Sequence, residues 1–459
     1  MEYTKEKNQT IQIKQFYLSV GALVIPMALQ NLINVGVTAA DVAMLGRVGE
    51  KVLSGASLAG QLQFVMTLIL FGITSGITVL TAQYWGKGDR KAIEKILGMG
   101  MAFGIVVASI FTIIGFFFPE QAMHIFTSDP VVIAEGVKYL RIVCFTYVLI
   151  AITQVYLYVM RSIERVIIAT VVYSISLGVN IGVNATLIFG LFGFPQMGIQ
   201  GAAIGTLISR VIELLIVMIY SFKFNDIIKV RFKNLISFEK VLIKDYIKYA
   251  MPVIINEMFW GLGFSMHAVI MGNLGSAAVA ANAVTQVLRQ FSMVVVFGVS
   301  NATAIYLGKT IGEGKVEEAK QYAKRFLGLS IVTGILGGLM ILLLAPIVEA
   351  TMTLSVESKE YLRFMTKAMS VYAACMSVSC TTIVGILRSG GDTKFSLIAD
   401  TCIMWGVSIP LAAIGAFIFQ WGVPMVYLCL LTDEVLKLPI AIKRFYSHKW
   451  LKNVTRDMY

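Results

Sequence analysis

A polytopic, all-helical membrane protein is the fold class this sequence predicts, and three observations predict it. Mean hydropathy is +0.79. Only 14% of the 459 residues are charged, against about 25% in soluble proteins. Apolar runs of about 20 residues, long enough to cross a bilayer as helices, recur from end to end. These runs do not alternate in polarity, which argues against a β-barrel.

The runs define twelve expected spans: 16–44, 53–84, 93–118, 131–158, 167–190, 199–222, 246–272, 279–308, 321–347, 358–386, 395–418 and 424–442. The first is preceded by MEYTKEKNQTIQIKQ, a polar stretch without the apolar core and cleavage site of a signal peptide, so the first span itself would direct insertion. Between the sixth and seventh lies KFNDIIKVRFKNLISFEKVLIKDYIK, a basic, amphipathic connection expected to lie on the membrane surface. The expected organisation is a six-helix lobe at 1–222, a cytoplasmic linker at 223–245, a second six-helix lobe at 246–445 and a cytoplasmic tail at 446–459.

The two halves repeat. Pro26 matches Pro252, a shift of 252 − 26 = 226, and the same shift takes Gly46 to Gly272, Gly72 to Gly298 and GKG at 86–88 to GEG at 312–314. MRS at 160–162 matches LRS at 387–389 with a shift of 227. Six spans per half means that corresponding spans run in the same direction, related by a pseudo-twofold axis along the membrane normal, as in many transporters.

Net charge is +12 with a pI near 9.3. In a membrane protein such a balance reports cytoplasmic loops facing anionic lipid, and nucleic acid is not an expected partner. Basic residues follow the even-numbered spans, among them Lys87, Arg90, Lys91, Arg161, Arg165, Lys309, Lys315, Lys443 and Arg444, whereas the loops GNLGSAA and FQWGVP carry none. The expected location is therefore the cell membrane, with both termini cytoplasmic. Five cysteines lie in apolar runs without CxxC spacing and three histidines are scattered, so no metal cluster or disulfide framework is expected. No GxxxxGK[ST] and no Ser/His/Asp constellation occurs; the chain reads as neither a nucleotide motor nor an enzyme, and no cofactor is expected.

Ionisable residues inside spans are functional candidates by default, because a charge in lipid is costly. Glu257, near the middle of span seven and about one turn after Pro252, is the leading one; it would bind H⁺ or Na⁺. Its repeat partner is the neutral Asn31. Asp400 in span eleven is either a second cation-site carboxylate or a snorkelling partner of Arg388. Asp41 either attracts cations at the outer mouth of a cavity, or caps its helix end or pairs with Arg47; its repeat partner, His267, is either a titrating group or a satisfied core histidine. Arg289 in span eight would neutralise Glu257 or serve as a structural partner. Asn180 and Asn184, four apart on one face, and the soft or aromatic residues Met258, Trp260 and Phe264 around Glu257 suit a cavity for bulky organic cations. Arg210 with Glu213, and Glu434 with Lys437, are three apart with reversed sign and read as structural ion pairs; Asp433 adds a further acid.

Taken together, PVIINEMFWGLG, TAQYWGKGD with its echo YLGKTIGEGK, FGFPQMGIQGAAIGTLISR and ILRSGGDTKFSLIADTCIMWGVSIPLA resemble the multidrug and toxic compound extrusion (MATE) family over nearly the whole chain, most closely its bacterial NorM/MepA-like branch. The resemblance implies twelve helices in two lobes forming a V, and efflux of amphipathic organic cations in exchange for H⁺ or Na⁺; a monomer in contact with membrane lipids is the expected working form. Asp41 falls on the family's first-helix acid. Glu257 is similar to its seventh-helix glutamate but lies about one turn earlier, the tenth-helix aspartate falls on Ser377, and the fifth-helix aspartate of DinF-type members is replaced by Asn184. A lipid-linked oligosaccharide flippase of the same superfamily is the alternative function, and a non-transporting sensor the third.

Overall fold

The computed structural model describes residues 2–229, 239–352 and 354–456, with side chains from residue 13 onward. The middle of the expected linker, 230–238, and the end of the expected tail, 457–459, lie outside the described residues. The regular elements among those described are all helices, with no strand. The helices are α1 (Glu2–Val48), α2 (Glu50–Lys87), α3 (Arg90–Phe117), α4 (Pro119–His124), α5 (Pro130–Val143), α6 (Thr146–Ser162), α7 (Ile167–Phe189) and α8 (Ile199–Ile219). The second half contributes α9 (Lys240–Gly272), α10 (Ser276–Gly312), α11 (Val316–Thr351), α12 (Val356–Cys380), α13 (Thr393–Ile403), α14 (Ile409–Phe417), α15 (Val423–Leu430) and α16 (Thr432–Tyr446). Wider π-helical turns close α8 (Tyr220–Phe224), close α12 (Thr381–Leu387) and join α13 to α14 (Met404–Ser408).

Ten of the described helices are long and apolar enough to cross a membrane, and the pair α5–α6, bent by 51°, passes the same test of length and composition when taken as one broken span. That pair is the expected span at 131–158. The expected twelfth span, 424–442, differs from a plain crossing. It breaks at Leu431 into α15 and α16, and the apolar run is interrupted by Asp433, Glu434 and Lys437. Large apolar side chains such as Ile25, Leu343 and Val371 stand open on the helix surfaces, as expected of chains whose solvent is hydrocarbon.

The helices form two compact units whose limits depart from the expected lobes. One unit, here the N unit, is Gln30–Met258; the other, the C unit, joins Met1–Leu29 to Phe259–Arg456. The division thus falls inside α1 and α9, and the leading part of each belongs with the helices of the opposite half of the sequence. The repeat is visible in how this happens. In the N unit Gly72 of α2 lies against α9: a Cβ there would sit 2.5 Å from Ile254 Cα. In the C unit its counterpart, Gly298 of α10, lies against α1, where a Cβ would meet Val24 O at 3.2 Å and Ala28 N at 3.4 Å. With 72 + 226 = 298 and 254 − 226 = 28, both contacts obey the repeat shift. Only a residue without a side chain permits so close a helix approach.

In the C unit two apolar clusters divide the interior. One contains Met271, Leu288, Met365, Met376, Val426 and Tyr427; the other brings Phe16 and Val20 of α1 together with Leu307, Phe326, Leu387, Phe445 and Trp450.

Candidate functional site

Each unit buries a set of polar side chains, built on matching elements but with opposite polarity. The connection before α15 (418–422) is four residues shorter than the one before α8 (190–198), so the repeat shift falls there from 228 at the preceding helix ends to 224. Both helices start directly after a glycine, Gly198 and Gly422. The same shift maps Arg210 onto Glu434 and Glu213 onto Lys437 (210 + 224 and 213 + 224).

In the N unit Asn184 on α7 is fully buried and joins two neighbours. Its Nδ2 donates to Asp41 Oδ1 at 2.7 Å and to Asn180 Oδ1 at 3.2 Å. Gly205 of α8 makes room for it, since a Cβ there would clash with Asn184 Oδ1. Arg210 Nη1 donates to Glu213 Oε1 at 2.6 Å, and the guanidinium is within electrostatic reach of Asp41. Asp41, Asn180, Asn184, Arg210 and Glu213 thus occupy one unit, with the asparagine amide fixing the acid on α1. A neutral donor there does what a charged base would otherwise do: it satisfies a carboxylate taken out of water.

The C unit holds three carboxylates around one amine. Lys437 Nζ lies 2.6 Å from Glu434 Oε1, 2.9 Å from Asp400 Oδ1 and 3.6 Å from Asp433 Oδ2. Lys437, Asp433 and Glu434 are all at least 95% buried. Neither Asp433 oxygen accepts a hydrogen bond, nor does Glu434 Oε2. The expected partnership of Glu434 with Lys437 is present, but Lys437 also reaches Asp400 on α13. Sequence spacing had no means of finding that link, because it joins residues 37 apart on different helices.

Beside this cluster is a small cavity lined by Phe264, His267, Asn282, Gln286, Arg289 and Tyr372, among others, with about 10 Å³ open to the centre of a water molecule. That is room for about one water. Arg289 Nε donates to Gln286 Oε1 at 2.7 Å, and its guanidinium stacks 4.8 Å from the Phe264 ring centre. His267 is buried with Nε2 unpartnered, and Asp433 acts electrostatically on both His267 and Arg289. Trp260 packs on Phe264 with ring centres 4.4 Å apart.

The structure therefore divides the expected cavity residues. Trp260, Phe264, His267 and Arg289 gather in the C unit, whereas Asn31, Asn180, Asn184 and Met258 belong to the N unit. Glu257 is half-buried on α9 and, one residue before the division, falls with the N unit rather than with Arg289. Ser377, where a tenth-helix acid was expected by resemblance, is buried and donates to Ser330 O at 2.7 Å, so this position is a helix-packing contact. Gln286, Tyr372 and Tyr427 were not legible as site residues. Tyrosines and glutamines in apolar helices carry no signal of which way they face.

The MatE family model matches residues 26–186 and 252–414, two stretches that start 226 residues apart at the two repeat prolines. The "probable multidrug resistance protein NorM" of Thermotoga maritima is 25% identical over 438 residues, covering 95% of this chain and 94% of that protein. The "uncharacterized transporter YisQ" of Bacillus subtilis is 21% identical over 430 residues, covering 90% of each. Among solved structures, an "outward-facing conformation of a multidrug resistance MATE family transporter of the MOP superfamily" superposes with a TM-score of 0.85 at 17% identity, covering 94% of this chain and 96% of the other. A MOP superfamily transporter from Pyrococcus furiosus gives the same TM-score and identity over 94% and 95%. The chain belongs to the MatE family, and is a multi-pass membrane transporter rather than an enzyme.

Proposed function

We propose that this protein is a secondary antiporter that exports amphipathic organic cations from the cell in exchange for H⁺ or Na⁺. The observation that supports it best is the acid cluster of the C unit, where the buried Asp433 and Glu434 and the partly buried Asp400 converge on the amine of Lys437. A buried negative excess needs a positive occupant, and an inward-moving ion and an outward-moving organic cation would exclude each other by competing for it. Multidrug relatives such as that of Thermotoga maritima agree with this reading. Glu257, Asp400 and Asp41 are the proposed cation-coupling carboxylates, with bending of α9 at Pro252 as the linked motion. Asn31, Asn180, Asn184, Met258, Trp260, Phe264, His267 and Arg289 are the proposed cavity residues. The protein would work as a monomer in the cell membrane with both termini in the cytoplasm.

The test is ethidium efflux from proteoliposomes under separate pH and sodium gradients. One of the two gradients is expected to drive efflux, and Glu257→Gln is expected to insert normally yet lose gradient-driven efflux by at least about tenfold, within the usual range of coupling energies. Full coupled efflux in that variant would remove Glu257 from the mechanism. Arg289 at the cavity keeps a second reading in view, a flippase for lipid-linked oligosaccharide. Preference for a polyprenyl pyrophosphate over ethidium would establish that reading instead.

A further inference from the structure

The C-unit cluster leads to a specific assignment of the exchanged ion and its seat. Three carboxylates face Lys437, and Arg289 is within electrostatic reach of Asp433 and Glu434. His267 on α9, Tyr372 on α12 and Tyr427 on α15 are further titratable groups around the cluster and its cavity, with Cys375 of α12 near Glu434. Asp433, only 1% exposed, has no hydrogen bond on either oxygen, and one Glu434 oxygen is likewise bare. A buried carboxylate in that condition is costly unless it takes up a proton or a cation.

The geometry selects between the two. Lys437 Nζ already occupies the point where the carboxylates converge, at 2.6 to 3.6 Å. A metal cation would have to displace that ammonium, whereas a proton adds to a bare oxygen and needs no such space. Among the described residues, no set of three or more His, Cys, Asp or Glu side chains forms a metal cage. We propose that the Asp433–Glu434 carboxylates, held around Lys437 beside the His267–Arg289 cavity, are where the exchanged proton binds, one per transport cycle. A bare oxygen of the pair takes the proton from the outer solution, forming a neutral carboxyl, and returns it as H⁺ to the cytoplasmic solution. This deepens the antiport reading and rests on it for the partner cation.

Purified full-length protein in weak buffer with a pH-indicator dye tests it, using tetraphenylphosphonium as the organic cation. Wild-type protein is expected to release about one proton per cation bound, as charge balance requires. Asp433→Asn/Glu434→Gln is expected to bind tetraphenylphosphonium more weakly, since two of the acids it competes for are gone, and to release no proton per cation that still binds; undiminished release would overturn the assignment, as would release of Na⁺ in place of H⁺. Infrared titration of the wild type guards against a variant that fails to fold. A carboxylic C=O band that shifts in D₂O and vanishes on alkalinisation is expected. Absence of the band, or its survival in both Asp433→Asn and Glu434→Gln, refutes the proposal. If wild-type protein neither binds nor moves tetraphenylphosphonium, the antiport reading fails by itself, and the infrared titration still decides where the proton sits.

Discussion

Lys437 faces more opposite charge than one amine can neutralise, so its removal and the removal of an acid should act in opposite directions. Lys437→Met would leave Asp400, Asp433 and Glu434 facing one another with their common partner gone. Breaking a buried pair in this way typically costs about 3–5 kcal/mol, so a marked fall in the melting temperature in detergent is expected. Asp433→Asn removes part of the excess and is expected to be neutral or stabilising; combined with Lys437→Met it should recover part of the loss, read by the same melting experiment. In the N unit Asn184→Leu would strip Asp41 of its 2.7 Å donor, at about 1–3 kcal/mol for the acid left unsatisfied. Much of this was visible in the letters: Asp41, Asn180, Asn184, Arg210, Glu213, Glu434 and Lys437 all stand out as polar residues in apolar spans. What spacing along one helix conveys is the i,i+3 pair. It does not convey that Asp400 meets Lys437 or that Asn184 meets Asp41, because each meeting depends on the rotational phase of two helices, which packing sets.

At the level of elements, α1 and α9, the helices that carry the repeat prolines Pro26 and Pro252, are the ones that each divide between the compact units. The glycines that receive them make unequal demands. A Cβ at Gly72 would lie 2.5 Å from a backbone atom of Ile254, whereas at Gly298 the nearest approach is 3.2 Å. Backbone cannot step aside as a side chain does, so Gly72→Ala should cost about 1–3 kcal/mol as overpacking. Gly298→Ala should cost less, and a melting comparison of the two variants checks the order. The glycine repeat at a shift of 226 was legible and marked corresponding helices correctly. Chain order alone nevertheless led to lobe limits near residues 222 and 246, since nothing in an apolar run records which set of neighbours each half of a long helix will touch. The last crossing shows the converse. Its apolar letters suggested one span at 424–442, but Asp433, Glu434 and Lys437 require an interior, and the helix is interrupted at Leu431.

On the scale of the whole molecule, both ends of the described chain close on one core. Phe16 from α1 and Trp450 beyond α16 belong to the same buried cluster of the C unit, together with Phe326, Leu387 and Phe445. Trp450 is fully buried, its Nε1 donates to Phe445 O at 3.0 Å, and Gly390 leaves space for its carbonyl. Lys452 reaches Asp392 at 3.1 Å, an acid also held by Arg444 at 2.7 Å. A basic stretch after the last apolar run reads as a tail in the sequence, because one tryptophan among lysines gives no sign of a core. In the fold, 447–452 instead seals the end of the C unit where α12 turns into α13. Trp450→Ala should therefore cost about 3–5 kcal/mol, the usual penalty for truncating a buried aromatic, and should lower the melting temperature of the full chain. Lys452→Ala, which removes a half-exposed ion pair, should change it by no more than about 1 kcal/mol. Equal, small effects from both substitutions would mean that these residues are an appendage. A large loss confined to Trp450 would show that the chain's last turns help to hold the helices that carry Asp400 and Lys437.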